Sequence, residues 1–102
     1  MANIFEIASV DAVPNNSVKA FVVNGIKIAV FNLGGKFYAI ADTCSHEEAS
    51  LSEGEIIGTQ IECPRHGARF DITTGRNLTL PAVLPVKKYE LKIEDGKIFV
   101  VM

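Results

Sequence analysis

No stretch of the sequence approaches the roughly 18 consecutive apolar residues of a membrane-spanning helix, so no membrane partner is expected. Basic excess is also missing: ten Lys and Arg stand against twelve Asp and Glu, a formal net charge of -2. Phosphate contacts need a clustered basic face, so nucleic acid is not an expected partner either. No window shows the apolar stripe and caps of a helix, and "SVDAVP" has room for one helical turn at most. Internal repeats, low-complexity tracts and linkers are absent. The N-terminal "MANIFEIASVDAVP" has no basic flank and already carries Glu6, unlike a secretory signal. A cytoplasmic location is therefore expected, where thiols stay reduced. Thiol and imidazole side chains are also scarce, with only two cysteines and two histidines in 102 residues.

What is present is strand signal. With 48% hydrophobic and 22% charged residues, the chain has the composition of one globular domain, residues 1–102. "VKAFVV", "IKIAVF" and "KFYAIA" are short runs rich in Val, Ile, Phe and Tyr. Asn24-Gly25 separates the first two and "NLGG" (Asn32 to Gly35) the second and third, both hairpin signals. Near the C-terminus Tyr89, Leu91 and Ile93 alternate with Lys88, Glu90, Lys92 and Glu94, and Asp95-Gly96 then turns the chain into "KIFVV". The middle is broken by Gly54, Gly58, Pro64, Gly67, Gly75 and Pro81. The expectation is an all-β fold with loops of roughly 42–50 and 61–81 inserted in a β framework.

Both cysteines and both histidines fall in that insert. Cys44 and His46 form a C-x-H pair, and Cys63 and His66 a C-x-x-H pair. Taken singly, each has an ordinary reading, because a free cysteine is often a small buried apolar residue and a lone histidine a satisfied loop residue. Taken together they can converge on a metal. One reading is a four-coordinate zinc with a Cys₂His₂ shell. The other is a [2Fe-2S] cluster with both cysteines on one iron and both histidines on the other. Zinc fingers group like ligands and commonly carry the histidines on a helix. Here each pair mixes one Cys with one His and no helix is evident, which suits a cluster held between two loops.

The run "CSH…CPRHGARFDITTGR…LPA" resembles the Rieske family, and within it the small soluble ferredoxins that serve oxygenase systems. The resemblance implies stacked antiparallel sheets with a loop-built cluster-binding subdomain and one [2Fe-2S] cluster per chain. Cys44 and Cys63 would bind one iron, His46 and His66 the other, and Pro81 would sit in a third loop that covers the cluster. It implies a monomeric one-electron carrier with no catalytic site of its own. The electron donor would be a flavin-containing reductase and the acceptor a terminal oxygenase or other oxidase. Two other functions fit the same residues: a small subunit of a multi-component reductase or oxygenase acting on nitrite or an aromatic compound, and a zinc-stapled interaction module.

Further residues bear on that reading. Gly67 is expected at a tight turn where backbone N–H groups can approach cluster sulfurs, Gly75 in an ordinary turn, and Asp71 as a solvated or turn residue. From Asp42 to Glu62 there are six acids and no Lys or Arg, a candidate docking field for a basic redox partner that Arg65 and Arg69 interrupt. High-potential Rieske proteins carry a Ser just after H-G and a Tyr two positions later, whose hydroxyls stabilise the reduced cluster. This chain has Ala68 and Phe70 there. Those relatives also hold an extra cysteine in each ligand loop, where this chain has Arg65 in the second and no further Cys anywhere. Potentiometric titration is therefore expected to give a midpoint of about -150 mV, the low end of the range for histidine-ligated clusters. A clearly positive midpoint at pH 7 contradicts this.

Overall fold

Three dipeptides fold the chain into its framework. Asn24-Gly25, Gly34-Gly35 and Asp95-Gly96 have positive φ at both positions, between 51° and 92°. Two-residue hairpins whose twist matches the strands they join require that conformation. The computed structural model describes residues 3–43, 49–65, 67–80 and 84–102. In it these turns join β2 (Ser17–Val23) to β3 (Ile26–Leu33), β3 to β4 (Lys36–Ala41), and β8 (Lys88–Glu94) to β9 (Lys97–Val101). The second turn is tighter than "NLGG" suggests, because β3 runs on to Leu33, which pairs with Lys36. Asn32 stays inside the strand because its buried carboxamide is satisfied. Nδ2 donates to the Val13 carbonyl at 2.9 Å, and Oδ1 accepts from the Gly35 N–H at 2.9 Å.

The strands form a six-stranded antiparallel sheet in the order β1-β9-β8-β4-β3-β2, with β1 at Ile4–Ser9. Strand β8 serves both halves of this sheet. Lys88 and Tyr89 pair with β4, whereas Glu90 to Glu94 pair with β9. The insert is more ordered than its glycines and prolines imply. It carries a three-stranded sheet of β5 (Glu55–Ile57), β6 (Gln60–Glu62) and β7 (Arg69–Asp71), preceded by a 3₁₀ turn at Leu51–Glu53. A second 3₁₀ turn, Val10–Ala12, occupies "SVDAVP" as expected. Strand β1 had no sequence signal of its own, and its pairing with β9 slips in register between Glu6 and Ala8. No helix among the described residues is long and apolar enough to cross a membrane.

Strand β3 holds the two layers together. Ile28 and Val30 enter a core with Val23, Ala39, Tyr89, Ile98 and Val100. Their neighbours Ala29 and Phe31 enter a second core with Ile40, Leu51, Ile61, Cys63, Phe70 and Ile72. Successive strand side chains point to opposite faces, so a strand covered on both faces reads as a continuous apolar run. That is the pattern "IAVF". The small sheet thereby packs on one face of the large sheet.

The turn after β7 fixes where the chain leaves the small sheet. Asp71 Oδ1 accepts from the Thr73 N–H at 2.8 Å and the Thr73 hydroxyl at 2.6 Å, and the Asp71 carbonyl accepts from Gly75 N–H at 2.7 Å. Asp71 is a turn residue, in line with its sequence. Gly75 is more than that. Its φ is +80°, and a Cβ built on it would run into the Val86 carbonyl, whose own N–H donates to Gly75 O at 2.9 Å. Gly75→Ala is expected to cost about 3 kcal/mol, from left-handed backbone strain plus overpacking. Gly58→Ala, at φ +62° with open space around the new methyl, is expected to cost only about 1 kcal/mol. Urea unfolding of both variants followed by circular dichroism checks this, and equal losses contradict it.

Candidate metal centre

Of the four expected ligands, Cys63 is described, whereas Cys44, His46 and His66 lie outside the described residues, as does Pro81. The structure shows the frame on either side of them.

Cys63 extends the β6–β7 ladder by one step. Ile61 pairs with Phe70 and Glu62 with Arg69, and the Cys63 N–H then donates to the Ala68 carbonyl at 2.7 Å. The Cys63 carbonyl accepts from Gly67 N–H at 3.2 Å. Both backbone groups of Cys63 are thus fixed at the neck of a hairpin whose tip includes Pro64, Arg65 and Gly67. Gly67 has φ +73°, so the turn demands glycine, and its N–H is already given to Cys63. The thiol of Cys63 is free and buried, in the core that also contains Ala49, Leu51, Ala68 and Phe70. Ala68 and Phe70 are fully buried and bring no hydroxyl.

The segment holding Cys44 and His46 springs from a closed stem. Thr43 and Ser50 form an antiparallel bridge, and Leu51 N–H donates to the Asp42 carbonyl at 2.6 Å. Asp42 Oδ1 accepts from Ser52 N–H at 2.8 Å. Asp42 is fully buried, and its Oδ2 lies 3.1 Å from Lys27 Nζ. That contact is an ion pair without hydrogen-bond alignment, and no other described group donates to Oδ2. Lys27 Nζ also donates to Ser50 Oγ at 2.7 Å.

The two frames meet. Ala49 and Leu51, just past the first pair, share a core with Cys63 and Ala68 at the second. An open cavity of about 380 Å³ is lined by Ala49, Ser50 and Glu53 from one segment and by Pro64 and Arg65 from the other. A third stretch lies alongside. Leu78 N–H donates to Arg69 O at 2.8 Å, and Thr79 Oγ1 accepts from Arg69 N–H at 2.8 Å. These bonds bring the chain that leads to residue 81 along β7. A buried thiol on a fixed hairpin, next to a cavity bordered by the other candidate segment, fits a centre with soft ligands.

The acidic field shrinks in the structure. Asp42 is buried against Lys27, and Glu62 is half-buried with its Oε2 3.2 Å from Arg69 Nε, so neither is open to a partner. Glu53 and Glu55 are exposed, and Glu47 and Glu48 lie outside the described residues. Sequence reading missed Lys27 altogether. The available signal was an acid at the end of an apolar strand, "YAIAD", opposite a lysine across the β3–β4 hairpin set by Gly34-Gly35.

Comparison with known proteins places this geometry. The model of the Rieske [2Fe-2S] domain matches residues 3–90. The ferredoxin component of the naphthalene 1,2-dioxygenase/salicylate 5-hydroxylase systems of Ralstonia sp is 37% identical over 100 residues, covering 98% of this chain and 96% of that protein. The ferredoxin of carbazole 1,9a-dioxygenase from Nocardioides aromaticivorans superposes with a TM-score of 0.93 at 37% identity, covering 96% of each chain. A chain in the complex of reduced oxygenase and oxidised ferredoxin of carbazole 1,9a-dioxygenase gives 0.88 at 33% identity, covering 95% of this chain and 91% of that one. With two stacked antiparallel sheets framing the candidate segments and this likeness running along its length, the chain belongs to the Rieske [2Fe-2S] domain family.

Proposed function

We propose that this chain is a one-electron carrier that holds one [2Fe-2S] cluster and passes electrons from a flavin-containing reductase to a terminal oxygenase. The observation that carries the reading is the meeting of the two ligand-bearing segments at one cavity beside the buried Cys63. The likeness to ferredoxin components of dioxygenase systems over nearly the whole chain supports the choice of partners. Cys44 and Cys63 hold one iron, and His46 and His66 the other. Both histidines are then occupied, which leaves the chain no second iron site of the 2-His-1-carboxylate kind, and so no oxygenase chemistry of its own. Residues 1–102 act as one domain, with the loops of roughly 42–50 and 61–81 carrying the cluster. The carrier works as a cytoplasmic monomer.

When bound, the cluster takes up and gives back one electron, and two imidazole ligands place its potential above that of a four-cysteine cluster. The chain supplies position and surroundings. Backbone bonds at 2.7 and 3.2 Å fix Cys63, so little has to move when charge arrives. Leu51, Ala68 and Phe70 exclude water from the core around it. Neither Ala68 nor Phe70 can donate a side-chain hydrogen bond, which keeps the potential low. At the cavity mouth, Glu53 and Arg65 are exposed, and exposed charge of this kind acts on encounter rates more than on affinity.

Protein made with iron available is expected to be brown and to give a rhombic EPR signal after dithionite reduction, with two irons per chain. Cys63→Ser is expected to lose both colour and signal. A colourless protein that binds one zinc per chain overturns the carrier reading in favour of a structural staple. Ala68→Ser adds a hydroxyl where the chain has none. It is expected to raise the midpoint on the order of 100 mV, the equivalent of one hydrogen bond to the charged state, and an unchanged midpoint contradicts the role given to Ala68.

A further inference from the structure

A fully buried carboxylate is costly unless a charge or hydrogen bonds compensate it, and among the described residues Lys27 is the cation paired with Asp42. Lys27 stands opposite it across the β3–β4 ladder, where Ile28 pairs with Ala41 and Asp42 N–H donates to Lys27 O at 3.2 Å. The ammonium reaches both sides of the stem that carries Cys44 and His46. It lies 3.1 Å from Asp42 Oδ2 on the entering side and 2.7 Å from Ser50 Oγ on the leaving side. Asp42 binds the leaving side again through Ser52 N–H. This clamp closes two residues before a proposed ligand.

We propose that Lys27 and Asp42 are positioning residues that set the reduction potential of the bound cluster. Asp42 closes the stem of the first ligand loop, and Lys27 cancels the negative charge that this closure buries beside the site. The inference rests on the carrier reading. A negative charge left uncancelled in a poorly hydrated interior opposes the arrival of an electron, and an uncancelled positive charge favours it. Removing one member of the pair therefore moves the potential down, removing the other moves it up, and removing both restores it. A purely structural staple has no reason to give shifts of opposite sign.

The test uses holoprotein of Lys27→Met, Lys27→Arg, Asp42→Asn and the double variant Lys27→Met/Asp42→Asn. Each is titrated potentiometrically at one pH and low ionic strength. Iron content and visible absorption are recorded alongside. Lys27→Met is expected to lower the midpoint, cutting the ratio of reduced to oxidised protein at a fixed poise severalfold. Lys27→Arg is expected to match the unsubstituted protein. Asp42→Asn is expected to raise the midpoint, and the double variant to return towards the starting value. High salt is expected to shrink the Lys27→Met shift, because the ammonium is half-exposed. Iron-loaded variants with no shift, or with shifts of one sign, overturn the proposal and leave the carrier reading standing. Absence of iron in the unsubstituted protein overturns the carrier reading itself. If Asp42→Asn does not fold, the contrast between Lys27→Met and Lys27→Arg decides the matter alone.

Discussion

Everything in this molecule hangs on burying one strand on both faces. Ile28 and Val30 of β3 face one core while Ala29 and Phe31 face the other, so β3 ties the large sheet to the small sheet that carries the candidate site. A domain of 102 residues has little core to spare. Sharing one strand between two cores lets a short chain support two layers. Cys63 belongs to the second of these cores, which makes the site an extension of the packing and not an appendage to it.

The same economy shapes the site. Hydrogen bonds at the necks, and not long loops, define both candidate ligand segments: Cys63 N–H to the Ala68 carbonyl at one and Leu51 N–H to the Asp42 carbonyl at the other. A neck closed by backbone bonds gives a short segment a fixed origin and direction, which metal ligands on loops need for convergence. Gly75 does the equivalent for the third stretch, because its missing side chain lets Val86 close on the turn after β7. Preorganisation of this kind suits electron transfer, where rearrangement around the site slows the step.

The parts of the fold that sequence made legible were those governed by local chemistry. Asn24-Gly25 and Asp95-Gly96 announced their hairpins because few other pairs tolerate positive φ twice. "IKIAVF" announced a strand through its β-branched residues. Strand β1 stayed hidden because nothing in residues 4–9 demands an edge strand until β9 is there to pair with. Strands β5 to β7 stayed hidden because each has three residues, too few for periodicity to register among glycines and prolines. The candidate ligands were singled out by type and spacing alone, and of the four the described residues include only Cys63. The pairing of buried Asp42 with Lys27 was not legible, since Asp42 read as one acid among six until the hairpin register placed a lysine against it.

The central claim is that His46 and His66 share an iron across two loops whose frames meet at one cavity. Pulsed EPR of the dithionite-reduced protein, unlabelled and labelled with ¹⁵N-histidine, tests it most directly. The account predicts couplings from two iron-bound histidine nitrogens that change with the label, as two imidazoles on one iron of a [2Fe-2S] cluster require. A reduced cluster without histidine nitrogen coupling contradicts it.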